Sequence, residues 1–210
     1  MDLSHNPSFD PQFTQIDGLV WFPYVGRQFG RDGCRVLVLA HNIYLSPERY
    51  ALERTRIEQP TYWTGTMDEF TFTRSWYTKA FRFFIKGVAG LDRDFCRESP
   101  SETLDLVRNV VVSIAYGNFI QGLVPTTQAL TQGSPEQIAV SKVVWTQILE
   151  VLDITHCICW GKQVFGHLVT LDGAKLIDYF GGPGRGFGRG TLEMRDGRRI
   201  QIARRHLINT

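Results

Sequence analysis

The chain has 210 residues, of which 43% are hydrophobic and 21% are charged. This length and composition indicate one soluble globular domain, large enough to bury a core without disulfides or metals. No apolar run approaches the roughly 18 to 20 residues of a membrane span, and the N-terminus lacks the basic and apolar regions of a secretory signal. We therefore expect a cytoplasmic protein with no membrane partner.

The net charge of +2 is unevenly distributed along the chain. Residues 181–210 contain seven arginines and two acidic residues, a net charge of +5, which leaves −3 for residues 1–180. A local basic patch on a nearly neutral protein is what focused binding to phosphates requires. A solvated, arginine-rich hairpin would carry the same charge, so charge alone leaves both interpretations open.

The four cysteines, Cys34, Cys96, Cys157 and Cys159, are scattered and form no CxxC pair. Cys157 and Cys159 alternate in the apolar sequence HCICW, so in a strand they would face the same layer. We interpret them as buried core thiols rather than metal ligands, and we expect no metal. Free thiols fit a reducing compartment.

Residues 1–17 are predicted to form a loosely attached N-terminal arm, and residues 18–210 the domain itself. Residues 35–40 are a short apolar run that predicts a buried strand. A serine–proline pair then opens a predicted helix over residues 46–56. The aromatic segment that follows, residues 57–72, is interpreted as a loop.

In the middle of the chain, residues 73–88 have apolar side chains three and four apart, which is typical of an amphipathic helix. A short helix is predicted over residues 101–109, and the apolar run at 110–116 predicts the second buried strand. The sequence Ser-Pro-Glu-Gln at 134–137 is a capping-box pattern that starts a long helix. Residues 156–160 are the third predicted strand.

Gly161 ends the third strand and precedes a short predicted helix over residues 162–168. Residues 175–180 and 198–204 are further candidate strands. This order predicts an α/β fold, a single domain whose central, mostly parallel sheet has helices on both faces. Ligands bind outside the carboxyl ends of the strands in such sheets, so the chemistry is expected just after residues 40, 116, 160 and 204.

The first polar group at a strand end is Ala40-His41-Asn42-Ile43-Tyr44. It resembles the first motif of the uracil-DNA glycosylase superfamily, Gly-Gln-Asp-Pro-Tyr directly after a strand. The resemblance places Asn42 where the family positions the attacking water, with His41 beside it as a second catalytic candidate. Asparagine orients water but is no general base, which implies catalysis through electrostatic stabilisation of the leaving base. The alternative is that Asn42 only caps a turn.

Asn118 follows the second predicted strand in the sequence YGNFIQ, which resembles the family's base-reading motif. Its amide offers one donor and one acceptor group, as the edge of a pyrimidine requires. The resemblance further implies that Ile43 and Tyr44 shape the floor of the base pocket. Trp63 and Phe72 are the candidates for the aromatic face on which the base stacks. The alternatives are a turn asparagine and core aromatics.

His206 ends the last predicted strand, where the family has a histidine that stabilises negative charge on the departing base. Leu207 and Ile208 stand where the family has Pro and Ser. The loop that normally wedges an apolar residue into the base stack is expected to be nearly absent, so another segment would hold the DNA open. The alternative is a histidine with no catalytic role.

The glycine-rich segment 181–190 could clamp the DNA backbone through Arg185 and Arg189. Arg204 and Arg205 belong to the same basic region, and the four arginines together are the predicted DNA contacts. The segment is expected to be mobile, and it lacks the strand and helix context of a phosphate-binding loop. The alternative is a flexible hairpin with no binding role.

The resemblance as a whole implies a monomeric, monofunctional DNA glycosylase that needs no metal or organic cofactor. It would flip a modified pyrimidine out of double-stranded DNA and hydrolyse the N-glycosidic bond, leaving an abasic site. Uracil-type bases and the glucosylated cytosines of phage DNA are both candidate substrates, for repair or for antiphage defence. Two alternatives stay open: a catalytically inactive nucleic-acid-binding module of the same fold, and a hydrolase of free nucleosides or nucleotides.

Overall fold

The structure is a computed structural model that describes residues 5–42, 47–72, 85, 87, 100–123, 133–181 and 187–205. The strands in this part of the chain are β1 (Tyr24–Val25), β2 (Val36–Ala40), β3 (Ile114–Asn118), β4 (His156–Trp160), β5 (Lys175–Gly181), β6 (Phe187–Glu193) and β7 (Arg199–Arg205). Its helices include a 3-10 turn (Pro7–Phe9), α1 (Asp10–Phe13), α2 (Pro47–Ile57), α3 (Tyr62–Phe72), α4 (Pro100–Ser113), α5 (Pro135–Val151) and α6 (Lys162–Leu168).

The seven strands form one sheet in the order β1-β3-β2-β4-β7-β6-β5. The four central strands, β3, β2, β4 and β7, are parallel to one another. At one edge, β1 pairs antiparallel with β3. At the other edge, β6 pairs antiparallel with β7, and β5 pairs antiparallel with β6. The α/β class is confirmed, but the sheet is mixed rather than mostly parallel. Short connections join β5 to β6 and β6 to β7, and such connections can link only antiparallel neighbours.

Helices cover both faces of the sheet because the buried strands are apolar on both sides. On β2, Leu37 and Leu39 face a core that includes side chains of α5 and α6. The alternating residues Val38 and Ala40 face a second core that includes side chains of α3 and α4. These two cores are called the α5–α6 layer and the α3–α4 layer below.

The long helix α5 begins as its sequence predicts. The Ser134 hydroxyl accepts a hydrogen bond from the Gln137 amide nitrogen, and the Gln137 side chain accepts one from the Ser134 nitrogen. Farther along α5, the Trp145 indole donates to the backbone carbonyls of Asn118 (3.2 Å) and Phe119 (2.8 Å). Helix α5 therefore fixes the backbone at the carboxyl end of β3.

The segment interpreted as an aromatic loop is mostly helical. Helix α2 continues to Ile57, and α3 occupies Tyr62–Phe72. Trp63 and Met67 lie one turn apart on α3 and are both buried in the α3–α4 layer. Burial of this helical face overrides the loop-like composition of the segment.

Helix α4 is longer than predicted and ends at Ser113, so β3 begins at Ile114 instead of residue 110. Val107 and Val111 lie one turn apart on α4 and are both buried, so helical burial outweighs the strand preference of β-branched residues. Asn118 is consequently the last residue of β3 rather than a residue that follows it.

The second half of the glycine-rich segment is strand β6 and not part of a mobile loop. A Cβ atom at Gly188 would lie 2.7 Å from the Tyr179 hydroxyl on the neighbouring strand, so glycine permits this close approach.

At the other end of the chain, Phe13 and Ile16 are buried in the α5–α6 layer. The expectation of a loosely attached arm is therefore wrong for this segment.

The predicted amphipathic helix over 73–88 lies outside the described residues, except for Ile85 and Gly87, which are helical. Among the residues that the structure describes, no helix is both long enough and apolar enough to cross a membrane.

We expect Gly117→Ala to lower the free energy of unfolding by about 1–3 kcal/mol, the usual cost of overpacking a core. The new methyl group would lie 2.8 Å from the Trp145 ring, which also holds the end of β3. Gly166→Ala is the matched control, because its methyl group meets nothing within 4 Å and alanine favours a helix. Chemical denaturation measures both variants, and equal stabilities would contradict the close packing of Trp145.

Candidate functional site

The carboxyl ends of β2 and β3 lie side by side, and they bring two of the predicted motifs together. Ala40 and Asn118 are partners in the parallel register. Beyond the strands, the Phe119 nitrogen donates to the Ala40 carbonyl and the Ile120 nitrogen donates to the His41 carbonyl, both at 2.8 Å. His41 and Asn42 are therefore held beside the segment that carries Asn118.

The Asn118 side chain is the most unusual polar group at this edge. It is 1% exposed, and neither its amide nitrogen nor its amide oxygen has a hydrogen-bond partner among the described residues. Leaving such a buried group unsatisfied costs about 1–3 kcal/mol. Strand alternation directs it to the α3–α4 layer, as it does Tyr116. A ligand with one donor and one acceptor would recover this cost.

His41 belongs to a stack of three rings at the same edge. Its ring lies 5.5 Å from that of His167, at an interplanar angle of 11°. The other side of the His167 ring faces Phe119, at 4.8 Å and 13°. His167 comes from α6, the helix after β4, and it was not predicted as a site residue. Its place on the short helix that directly follows a strand of the parallel centre was the available signal.

The two stacked histidines are neutral near pH 7. Burial, with a further contribution from the charge of His167, lowers the pKa of His41 to about 4, and a side-chain hydrogen bond with Asn42 acts in the opposite direction. Burial also lowers the pKa of His167, and Lys142 lowers it further. The Nε2 atom of His41 is buried and has no hydrogen-bond partner among the described residues. Its hydrogen-bonding capacity is therefore unused in the free protein.

His41 and Asn118 approach this edge from opposite layers of the sheet. His41 contacts His167 on the α5–α6 side, whereas the Asn118 amide lies on the α3–α4 side. Asn42 follows His41, two residues beyond the end of β2. The Asn118 amide and the His41 imidazole therefore lie on opposite sides of the same edge of the sheet.

The residues predicted to stack on the base or to form the pocket floor differ in where the structure places them. Trp63 is 1% exposed and packs edge-on against Trp21 and Tyr116. It belongs to the core, which corrects the expectation that it offers an open face to a base. Phe72 is the last residue of α3, and its side chain is not described. Ile43 and Tyr44 lie outside the described residues.

The predicted DNA-binding arginines lie on the β5–β6–β7 part of the sheet. The Arg189 guanidinium lies 5.7 Å from the centre of the Phe180 ring, and that of Arg204 lies 5.9 Å from the centre of the Phe165 ring. Arg205 ends β7, but its side chain is not described. Arg185 and His206 lie outside the described residues.

One aromatic residue at this surface was missed by the sequence analysis. Phe180 on β5 is 53% exposed, beside Arg189. An exposed ring next to an arginine is a common arrangement for contacting unpaired bases. Its position directly before the glycine-rich segment was the signal in the sequence.

A groove of about 970 Å³ lies elsewhere, toward the amino ends of the parallel strands. Val36, Ile114 and His156, each at the start of its strand, line it. Its charged side chains balance, because Arg31 and Arg189 are matched by Asp32 and Asp178. The balanced charge gives the groove no net attraction for a polyanion, although the predicted DNA contact Arg189 is one of its lining residues. The groove holds none of the described catalytic candidates.

The buried cysteines confirm the interpretation as core thiols. Cys157 and Cys159 both lie in the α5–α6 layer, and burial raises the pKa of the Cys159 thiol well above its usual value. A thiol of this kind is inert. Within the described ranges, no three histidine, cysteine or acidic side chains are grouped so that they could hold a metal ion.

The comparisons with known proteins do not supply a family. No family model matches the chain, and neither the search of curated proteins nor the search of solved structures gives a match. Function is therefore inferred from the resemblance of the motifs and from the geometry at the carboxyl ends of the strands.

We expect Asn118→Leu to raise the free energy of unfolding by about 1 kcal/mol, because an apolar side chain of similar shape removes the unsatisfied amide. Asn118→Asp should lower it by about 3 kcal/mol at pH 7, because it buries an unpaired charge. Chemical denaturation without DNA measures both changes. A leucine variant that is markedly less stable than the natural protein would show that the amide is satisfied after all.

Proposed function

We propose that the protein is a DNA glycosylase that binds a flipped-out modified pyrimidine at the carboxyl ends of β2 and β3 and hydrolyses its N-glycosidic bond. The observation that carries the proposal is the Asn118 amide, which is buried and has no partner at either polar atom in the part of the chain that the structure describes. A pyrimidine edge presents a carbonyl beside a ring or exocyclic nitrogen, and the amide matches this pair.

The neighbouring side chains suit the remaining steps. Asn42 would orient a water molecule toward the sugar carbon, and it leaves the water un-ionised because an amide is no base. In the tautomer that carries its proton on Nε2 and accepts from the Asn42 amide at Nδ1, the neutral His41 imidazole would donate a hydrogen bond from Nε2 to the departing base. A donor already in place in a site shielded from water stabilises the developing anion more strongly than water does. These steps need no metal or organic cofactor.

The DNA would lie across the β5–β6–β7 surface. Arg189 would contact phosphates, and the exposed Phe180 ring on the same face would contact the bases left unpaired by flipping. Arg204 lies on the opposite face of the sheet, against Phe165. Contacts with phosphates are electrostatic, so affinity should fall as salt rises. Uracil-type bases and glucosylated cytosines remain the two candidate substrates.

We expect base release from one member of a panel of duplexes and phage genomes: uracil, 5-hydroxymethyluracil, thymine mismatches, cytosine and glucosylated 5-hydroxymethylcytosine. Alkaline cleavage reveals the abasic sites. Asn42→Ala and Asn118→Ala should each lower kcat/KM by about 100-fold or more, as loss of a well-placed polar group commonly does. Asn109→Ala is the matched control, because Asn109 is an exposed residue of α4 in the groove, and it should retain full activity.

The outcomes separate the alternatives. Full activity in Asn42→Ala or Asn118→Ala would overturn the proposed site. Salt-sensitive DNA binding with no base release from any substrate would indicate the inactive nucleic-acid-binding module instead. Release from free nucleosides without duplex binding would indicate the small-molecule hydrolase.

Blocking the groove should leave base release unchanged. Cys34 is an exposed free thiol that lines the groove, and a bulky maleimide on it would fill part of the volume. We expect kcat to stay within about twofold, because the groove and the catalytic candidates are at opposite ends of the strands. The readout is kcat rather than KM, because the proposed DNA contact Arg189 also lines the groove. The same reagent on Cys34→Ser controls for labelling elsewhere. A loss of activity only when Cys34 is labelled would move the active site to the groove.

A further inference from the structure

We propose that His167 is a positioning residue for His41: its ring, held between His41 and Phe119, fixes the plane of the His41 imidazole and so aims Nε2 at the ligand. This inference rests on the proposed glycosylase function for its catalytic consequence. The physical part, that His167 holds and shields His41, concerns the protein alone and can be tested without DNA.

The three rings are carried by three separately anchored parts of the backbone. His41 follows β2, and its carbonyl accepts a hydrogen bond from the Ile120 nitrogen at 2.8 Å. Phe119 follows β3, is fully buried, and has its own carbonyl bound by the Trp145 indole. His167 lies on α6 between residues that bury that helix in the α5–α6 layer. None of the rings depends on another for its backbone position.

The middle ring has no substitute in this arrangement. The planes of His41 and His167 differ by 11°, and those of His167 and Phe119 by 13°, so the three rings are nearly parallel. Removing the His167 ring would leave a gap between the other two. Water would enter the gap, or His41 would turn into it. Either event would take Nε2 away from its present direction.

The charges around the stack favour two neutral rings. The titratable groups that face His41 from the described elements are His167 on α6 and, beyond it, Lys142 on α5, and Asn42 adds only a neutral amide. Protonating one ring would place a cation against the face of the other ring in a buried site. The stack therefore keeps His41 in the neutral form, in which it can donate a single hydrogen bond from one nitrogen.

Positioning and shielding of His41 require only a flat ring of this size at residue 167. His167→Phe keeps a flat ring and removes its titratable nitrogens, whereas His167→Ala removes the ring. If His167 positions and shields His41, the phenylalanine variant should behave nearly as the natural protein does, and the alanine variant should not. His5→Ala, which changes a surface histidine paired with Asp10, is the control.

The first readout is an NMR pH titration of the His41 ring in the free protein. The midpoint of the natural protein is expected near pH 4, in keeping with its lowered pKa. In His167→Ala it should rise by one pH unit or more toward the ordinary value of about 6.5, because water reaches the ring. In His167→Phe it should stay closer to that of the natural protein, because burial is the larger cause.

The second readout is steady-state base release on the substrate that the natural protein cleaves. His167→Ala should lower kcat by about 10- to 100-fold, the range expected when a catalytic group is misplaced. KM should change by less than about threefold, because His41 acts on the departing base rather than on DNA binding. His167→Phe should keep kcat within about threefold. Circular dichroism and the NMR spectrum check that both variants are folded.

Three results would overturn the proposal. These are an unchanged His41 midpoint in His167→Ala, an equal loss of kcat in the phenylalanine and alanine variants, and a loss confined to KM. If the natural protein releases no base from any substrate, the glycosylase function fails, but the titration still decides whether His167 holds His41. The failure of the two proposals is thus distinguishable.

Discussion

The parallel pairing of β2 with β3 is the constraint on which the candidate site depends. It sets Ala40 opposite Asn118, and two further backbone hydrogen bonds carry the alignment past the strand ends to His41 and Ile120. Trp145 holds the β3 side from the α5–α6 layer through two carbonyls. A shift of one residue in this register would send the Asn118 amide to the other face of the sheet.

The site combines polar groups that are costly when no ligand is bound. Within the described ranges, the Asn118 amide and the His41 Nε2 atom are buried without hydrogen-bond partners. Well-packed surroundings hold both groups in place. The packing of the two layers supplies the free energy that offsets the cost of leaving these groups unsatisfied. Such rigid, unsatisfied groups match a ligand at little cost of reorganisation, which is the property that catalysis by preorganised hydrogen bonds requires.

The sequence was informative where local pattern and tertiary burial agree. The strand His156–Trp160, the helix Lys162–Leu168 and the capping box at Ser134 lie where the pattern predicts them. It failed where they disagree. The valines before β3 continue α4 because one of its faces is buried, and a glycine-rich segment becomes β6 because its glycines admit the Tyr179 ring.

The sequence by itself determined the α/β class, the polar residues that follow the central strands, and the basic character of the last thirty residues, because these follow from periodicity, spacing and composition. The tertiary structure alone decided the antiparallel additions to the sheet, the core role of Trp63, the unsatisfied state of Asn118 and the stacking of His167 on His41. Each of these depends on contacts between segments far apart in the chain, which local patterns do not encode.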